Sequence, residues 1–177
     1  MGAFFYRVMG AVMLDAGMYE TIEHDRRTTR QAFSVVLLAS IAAAVGSSHA
    51  GPLTLNRVAI VAGSAMIIWV AWAVLILRIG GRHLPERGTR VTLGELMRTI
   101  GFAAAPGWLQ VFAIFREVAL PVLAISWAWI FVAMIVAVKH ALDYHTIARA
   151  IFITAFALAL VVGFALLISA AFGPVTA

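Results

Sequence analysis

Apolar residues fall into five long stretches separated by short polar segments. The runs 31–56, 58–77, 99–115, 118–138 and 150–177 contain no Asp, Glu, Lys or Arg. A helix needs roughly 20 mostly apolar residues to cross a bilayer, and most of these runs are that long. No alternation of the kind a barrel strand requires competes with them. The pattern predicts an all-α, polytopic membrane helix bundle with five transmembrane helices. They are placed near 31–50, 57–79, 98–115, 118–139 and 147–172 of a single domain, 1–177. Residues 1–30 are read as a cytoplasmic or interfacial segment.

Helix signals fall at the edges of these runs. Thr28 with Gln31 and Thr92 with Glu95 match the capping-box spacing. Asp143 or Thr146 is placed to cap the last helix, and Gly51-Pro52, Gly80-Gly81 and Gly173-Pro174 to end helices. The third span is the irregular one. Pro106 removes a backbone donor and crowds the carbonyl of Phe102, and Gly101 and Gly107 flank it. A kinked, broken or re-entrant helix is expected there, sheltered by protein.

Composition agrees: 63% of residues are apolar, 12% are charged, and there is no Cys. A soluble domain carries about 45–50% apolar and about 25% charged residues. An ordinary soluble enzyme, a disordered chain and a disulfide scaffold are excluded, and so is thiol chemistry.

Charge predicts the orientation. Counting Lys and Arg from the N-terminal segment through successive loops gives 4, 1, 5, 1, 2 and 0. The positive-inside rule then puts the N-terminus in the cytoplasm and the C-terminus outside, and the alternation requires an odd number of spans. Arg7, Arg26, Arg27, Arg30, Arg82, Arg87 and Arg90 are read as topology determinants, or as residues meeting anionic headgroups. Nucleic acid is not expected as a partner, because these residues sit in short loops with little aromatic interleaving.

Asp15 and Glu20 interrupt the first twenty residues, so no cleavable signal is expected. Phe5, Met9, Val12 and Ala16 recur at helical spacing. They predict an N-terminal interfacial amphipathic helix with Arg7 reaching for headgroups, or a structural cap on the bundle.

Candidate chemistry is sparse. Every charged residue lies at or beyond a span end, which argues against proton-coupled carriers and ion pumps. His24, His140, Asp143 and His145 are weak metal-ligand candidates, and Glu20, Glu23 and Asp25 lie near His24 in sequence. His49 is a weaker haem-type candidate still. No serine-hydrolase elbow, zinc-protease helix or phosphate loop is present, so no catalytic residue, no cofactor and no enzyme activity are expected. The small-residue row Ala155, Ala159 and Gly163 on the fifth span, with Ala42 and Gly46 on the first, predicts close packing inside the bundle; self-association is the alternative.

The segment Ile100-Gly101-Phe102-Ala103-Ala104-Ala105-Pro106-Gly107 resembles the Gly-Phe-Ala-x-x-Pro stretch of bacterial Yip1-domain proteins. The run from Ala128-Trp129 through Val138-Lys139-His140-Ala141-Leu142-Asp143, then Thr146 and Arg149-Ala150, is also similar to that family. So are Leu14-Asp15 and the acidic stretch Glu20–Asp25. The resemblance implies a five-span helical domain in a bacterial cytoplasmic membrane. Eukaryotic members act in vesicle trafficking and bind Rab-type GTPases. Their acidic-Leu-Tyr-Gly-Pro motif is absent here, so no GTPase-binding residue carries over. The expected function is non-enzymatic: organising membrane proteins or lipids, as a scaffold, an accessory subunit or a homo-oligomer. The alternative is a channel or transporter for a neutral or lipidic substrate near the broken third span.

Overall fold

The computed structural model describes residues 2–86, 89 and 91–172. Arg87, Arg90 and Gly173-Pro174 lie outside them, as do the side chains of His49 and Ser169. Among the described residues the chain is helical, with no strand. Its helices are α1 (Gly2–Val12), α2 (Ala16–His24), α3 (Thr28–Gly46), α4 (Leu55–Ile76), α5 (Leu93–Ala103), α6 (Ala119–Ala141) and α7 (Ile147–Phe172). A π-helical turn, Leu77–His83, continues α4, and a 3-10 segment, Ala105–Ile114, follows α5.

Among the described residues, three helices are long and apolar enough to cross a membrane by length and composition: Thr28–Gly46, Leu55–His83 and Ala119–Ala141. The stretch Ile147–Gly163 of α7 is also apolar, and α7 as a whole runs 26 residues. This is a coarser result than the five spans expected. The region 98–115 is divided between α5 and the 3-10 segment, and neither is long enough alone.

Local chemistry sets most of the boundaries. The Asp15 carboxylate accepts from the Met18 N–H (3.3 Å) and caps α2. Thr54 caps α4 through the Arg57 N–H (3.2 Å). The Thr92–Glu95 capping box forms, with both reciprocal bonds present. The Thr28–Gln31 box does not. The helix begins one residue earlier than that box requires, with Arg27 at the cap position and no side-chain cap bond. The Thr28 hydroxyl turns back instead to the carbonyls of Ile22 (2.8 Å) and Asp25 (2.7 Å), tying α2 to α3. Gly80-Gly81 does not end a helix either, because the π turn runs through it. A Cβ at Gly80 would come within 2.6 Å of Leu142 Cδ1 and 2.8 Å of the Tyr144 hydroxyl, so this glycine serves close packing.

The core joins α3, α4, α5 and α6, with α2 and the start of α7 against it. Fully buried are Tyr19, Ile22, Val35, Ile76, Leu96, Ile100, Phe102, Val138, Leu142 and Ile153. The closest element partnership is α3 against the 3-10 segment. Tryptophan N–H groups pin elements together: Trp69 donates to Met97 O (3.1 Å), Trp108 to Val35 O (3.1 Å) and Trp129 to Val12 O (2.9 Å). The Trp69 and Trp108 bonds satisfy groups that are costly to leave unpaired inside apolar packing, whereas the Trp129 bond lies at the exposed edge.

Candidate functional site

Three features carry candidate function: the Pro106 break, the outward apolar faces, and a polar junction where α2 meets α5 and the end of α6.

At the break, helix α5 closes at Ala104 and the chain tightens to 3-10 geometry through Pro106. Ten residues is long for this form, whose runs seldom exceed 3–4. It is held from outside. The Ser126 hydroxyl donates to the Pro106 carbonyl (3.1 Å), and Pro106, Gly107 and Gln110 are buried. A Cβ at Gly101 would sit 2.8 Å from Ala32 Cβ, and one at Gly107 3.2 Å from Ala39 Cβ. Both glycines bring backbones close to α3. Beside the break lies an apolar crevice of about 290 Å³, lined by Phe5, Met9, Pro106, Trp108 and Trp129 among others.

The outward faces differ from expectation at two places. Ala155 and Ala159 on α7 are exposed, and a Cβ at Gly163 would meet nothing within 4 Å. The small-residue row therefore does not pack inside this bundle; the inward face of α7 carries Ala150, Ile153, Thr154 and Ala157. On α1, Val8 and Ala11 face the bundle, while Phe5 (60%), Tyr6 and Met9 are exposed, as is Met13 (72%) in the turn that follows. Arg7 is not turned outward. Its guanidinium forms an ion pair with Asp25 (2.7 Å) and donates to Gln31 (3.0 Å), and a neutralising partner is cheaper than an unpaired charge beside apolar surface. Arg26, Arg27, Arg30 and Arg82 are exposed.

The polar junction gathers residues from separate elements. Arg98 is buried on α5, and both its Nε (2.9 Å) and its Nη2 donate to the Glu23 carbonyl at the end of α2. The Glu23 residue is itself largely buried, at 7% exposure. Burial, and then the negative charge of Asp143, push this carboxyl up to about 7. His24 Nδ1 lies 2.9 Å from the Glu20 carbonyl, which with the nearby Glu23 raises the imidazole above its usual range. His140 Nδ1 is 3.7 Å from Glu20.

The four metal-ligand candidates do not converge. His24 is turned onto its own helix and His140 towards Glu20. The His145 N–H donates to Glu86 (2.9 Å) in a separate clamp that includes Arg149 (3.2 Å). That N–H, with Arg149 behind it, holds Glu86 below the usual carboxylate range. Among the described residues, no group of three or more His, Asp or Glu is placed to hold a metal ion. Sequence reasoning missed Glu23 and Arg98 as partners. The available signal was Arg98 itself, an arginine one turn after a capping box and directly before an apolar run.

The architecture and the long apolar helices define an integral membrane protein, all-helical among the described residues. The family model of the Yip1 domain matches residues 16–168, and the chain belongs to that family. No curated protein and no solved structure gives a match.

Proposed function

We propose that this Yip1-domain protein is a non-enzymatic, multi-pass scaffold that holds membrane proteins or anionic lipids against its outward apolar faces. The observation that carries the reading is the contrast between those faces and the break. Pro106, Gly107 and Gln110 at the break are buried and only a small apolar crevice opens beside them, whereas α1 and α7 leave large apolar side chains exposed. The α7 row Ala155, Ala159 and Gly163 suits a neighbouring helix, either from a protein partner or from a second copy. Helix α5 and the 3-10 segment together act as the third of five crossings. Their 11 and 10 residues reach roughly 36 Å end to end, enough for a bilayer core of about 30 Å. The N-terminus is cytoplasmic, the C-terminus is external, and the host membrane is a bacterial cytoplasmic membrane.

Purification of the tagged chain from native membranes in polymer discs tests the function. A stoichiometric protein or an enriched anionic lipid, lost when Ala159 is replaced by Trp, is expected. Neither species enriched, together with solute flux through reconstituted vesicles, would overturn the scaffold reading and move the function to the break.

The absence of Cys gives a clean background for labelling. Nitroxides at Met9→Cys and Met13→Cys should be accessible to oxygen and shielded from a water-soluble nickel complex, as for a helix lying in the interface. A label at Arg26→Cys should show the reverse. Nickel accessibility at all three would show that α1 lies in water. Replacing Arg82, Arg87 and Arg90 together with Glu should shift the cysteine-accessibility pattern towards the inverted topology. An unchanged pattern would remove these charges as determinants.

A further inference from the structure

We propose that the π turn closing α4 is a binding site for the phosphate of an anionic phospholipid, held by Arg78, Arg82 and His83. Such a site rests on the reading above that the protein holds anionic lipid, and it gives that lipid a place. The fold treats its arginines unequally. Arg7 pairs with Asp25, Arg57 donates to the Gly51 and Ser47 carbonyls (both 2.8 Å), Arg98 to the Glu23 carbonyl and Arg149 to Glu86. Arg78 and Arg82 are exposed, and neither guanidinium has an acceptor among the described residues. The backbone beneath them sets them apart from the exposed Arg26, Arg27 and Arg30.

That backbone is the π turn Leu77–His83, a rare form that recurs at functional sites. Residues five apart stack in it, so His83 lies one turn beyond Arg78, with Arg82 beside it. All three are exposed, whereas Ile79 and Gly80 are buried. Gly80 fixes this facing, because a Cβ there would strike Leu142 and Tyr144. The turn is also braced from the α6–α7 side. The Tyr144 hydroxyl donates to the Gly80 carbonyl (3.0 Å) and lies 3.3 Å from that of Leu84. Arg149 donates to the Leu84 (3.0 Å) and Pro85 (3.3 Å) carbonyls. These donors occupy the oxygens that would oppose an anion at the end of a helix. Glu86, the carboxylate nearest in sequence, is committed to Arg149 and the His145 N–H. The cations therefore stand on a braced frame with no internal anion competing for them, which lowers the ordering cost of binding. Their forked donors match phosphate oxygens.

Depth selects a lipid as the source of that phosphate. The helix Leu55–His83 has 29 residues, and at about 1.5 Å each it reaches roughly 40 Å. The hydrocarbon core takes up about 30 Å of this. The stretch 58–77 carries no charge and fills the core, so Arg78, Arg82 and His83 enter the headgroup layer.

Native mass spectrometry of the full chain in detergent, titrated with phosphatidylglycerol or phosphatidylcholine, tests the site. The wild type should prefer phosphatidylglycerol, and Arg78→Gln combined with Arg82→Gln should lower that affinity about 30-fold. Arg116→Gln, which removes an exposed cation at the far end of α6, should leave it unchanged. If the double variant does not insert, Tyr144→Phe decides. It alters no charge but frees the turn, and should weaken binding about fivefold. Undiminished affinity in these variants, with the wild type still preferring phosphatidylglycerol, would overturn the site and leave anionic-lipid binding to another surface. No preference in the wild type would overturn both the site and the anionic-lipid reading. Displacement of the lipid by equimolar inorganic phosphate would overturn the choice of a lipid.

Discussion

Replacing Gly46 with alanine should destabilise the protein by about 3 kcal/mol, at the upper end of what overpacking costs. The new methyl would fall on the Gln110 carbonyl oxygen and come within 3.2 Å of Ala113 Cβ. The obstacle is backbone in the 3-10 segment, which is pinned by the Trp108 and Ser126 bonds on either side, so rotamer change cannot relieve it. For a chain of this size the melting temperature in detergent should fall by roughly 6–12 °C. Gly163→Leu is the matching control. With nothing within 4 Å of its added Cβ, it should change stability by less than about 0.5 kcal/mol. A Gly46→Ala protein that melts like the wild type would mean that the 3-10 segment slides freely on α3.

Arg98→Ala has the second large expected effect, also about 3 kcal/mol. It leaves the buried Glu23 carbonyl without its two charge-assisted donors. It also removes a cation from beside a group of acidic side chains. Arg98→Lys should recover only part of the loss, because a single ammonium does not reproduce the two-pronged donation to one oxygen. Hydrogen exchange gives a local readout. Amides of α2 should lose protection in Arg98→Ala well before those of α3 and α6. Uniform loss across all helices would place Arg98 in the global core rather than at the α2 joint.

Much of the architecture was legible before any coordinates. The apolar runs marked the long helices, and the Thr92–Glu95 box formed where its spacing placed it. A capping box is local: both partners lie within one turn, so no distant contact is needed. Thr28 shows the limit. Its spacing to Gln31 is equally good, yet its hydroxyl found better acceptors in the turn that α2 brings alongside. Arg7 is similar. The sequence showed a long cation among apolar residues, and the tertiary fold supplied Asp25 and Gln31 as its partners.

The α7 row is the clearest divergence. Small residues at Ala155, Ala159 and Gly163 are compatible with a tight helix contact or with a lipid-facing groove, because protein interior and acyl chains are both apolar. In a soluble helix, hydropathy separates the buried face from the wet one. In a membrane helix that contrast is missing, and only the positions of α4 and α6 decide which side of α7 is covered. By itself, then, the sequence determined that this is an all-helical membrane protein, where its long helices run and where the chain is irregular. Those properties follow from transfer energies and backbone chemistry that act residue by residue. The tertiary structure alone decided which small residues touch and that Arg98 grips the end of α2. Those outcomes depend on groups up to 75 positions apart in the chain meeting at a few ångströms, and no local pattern encodes such a meeting.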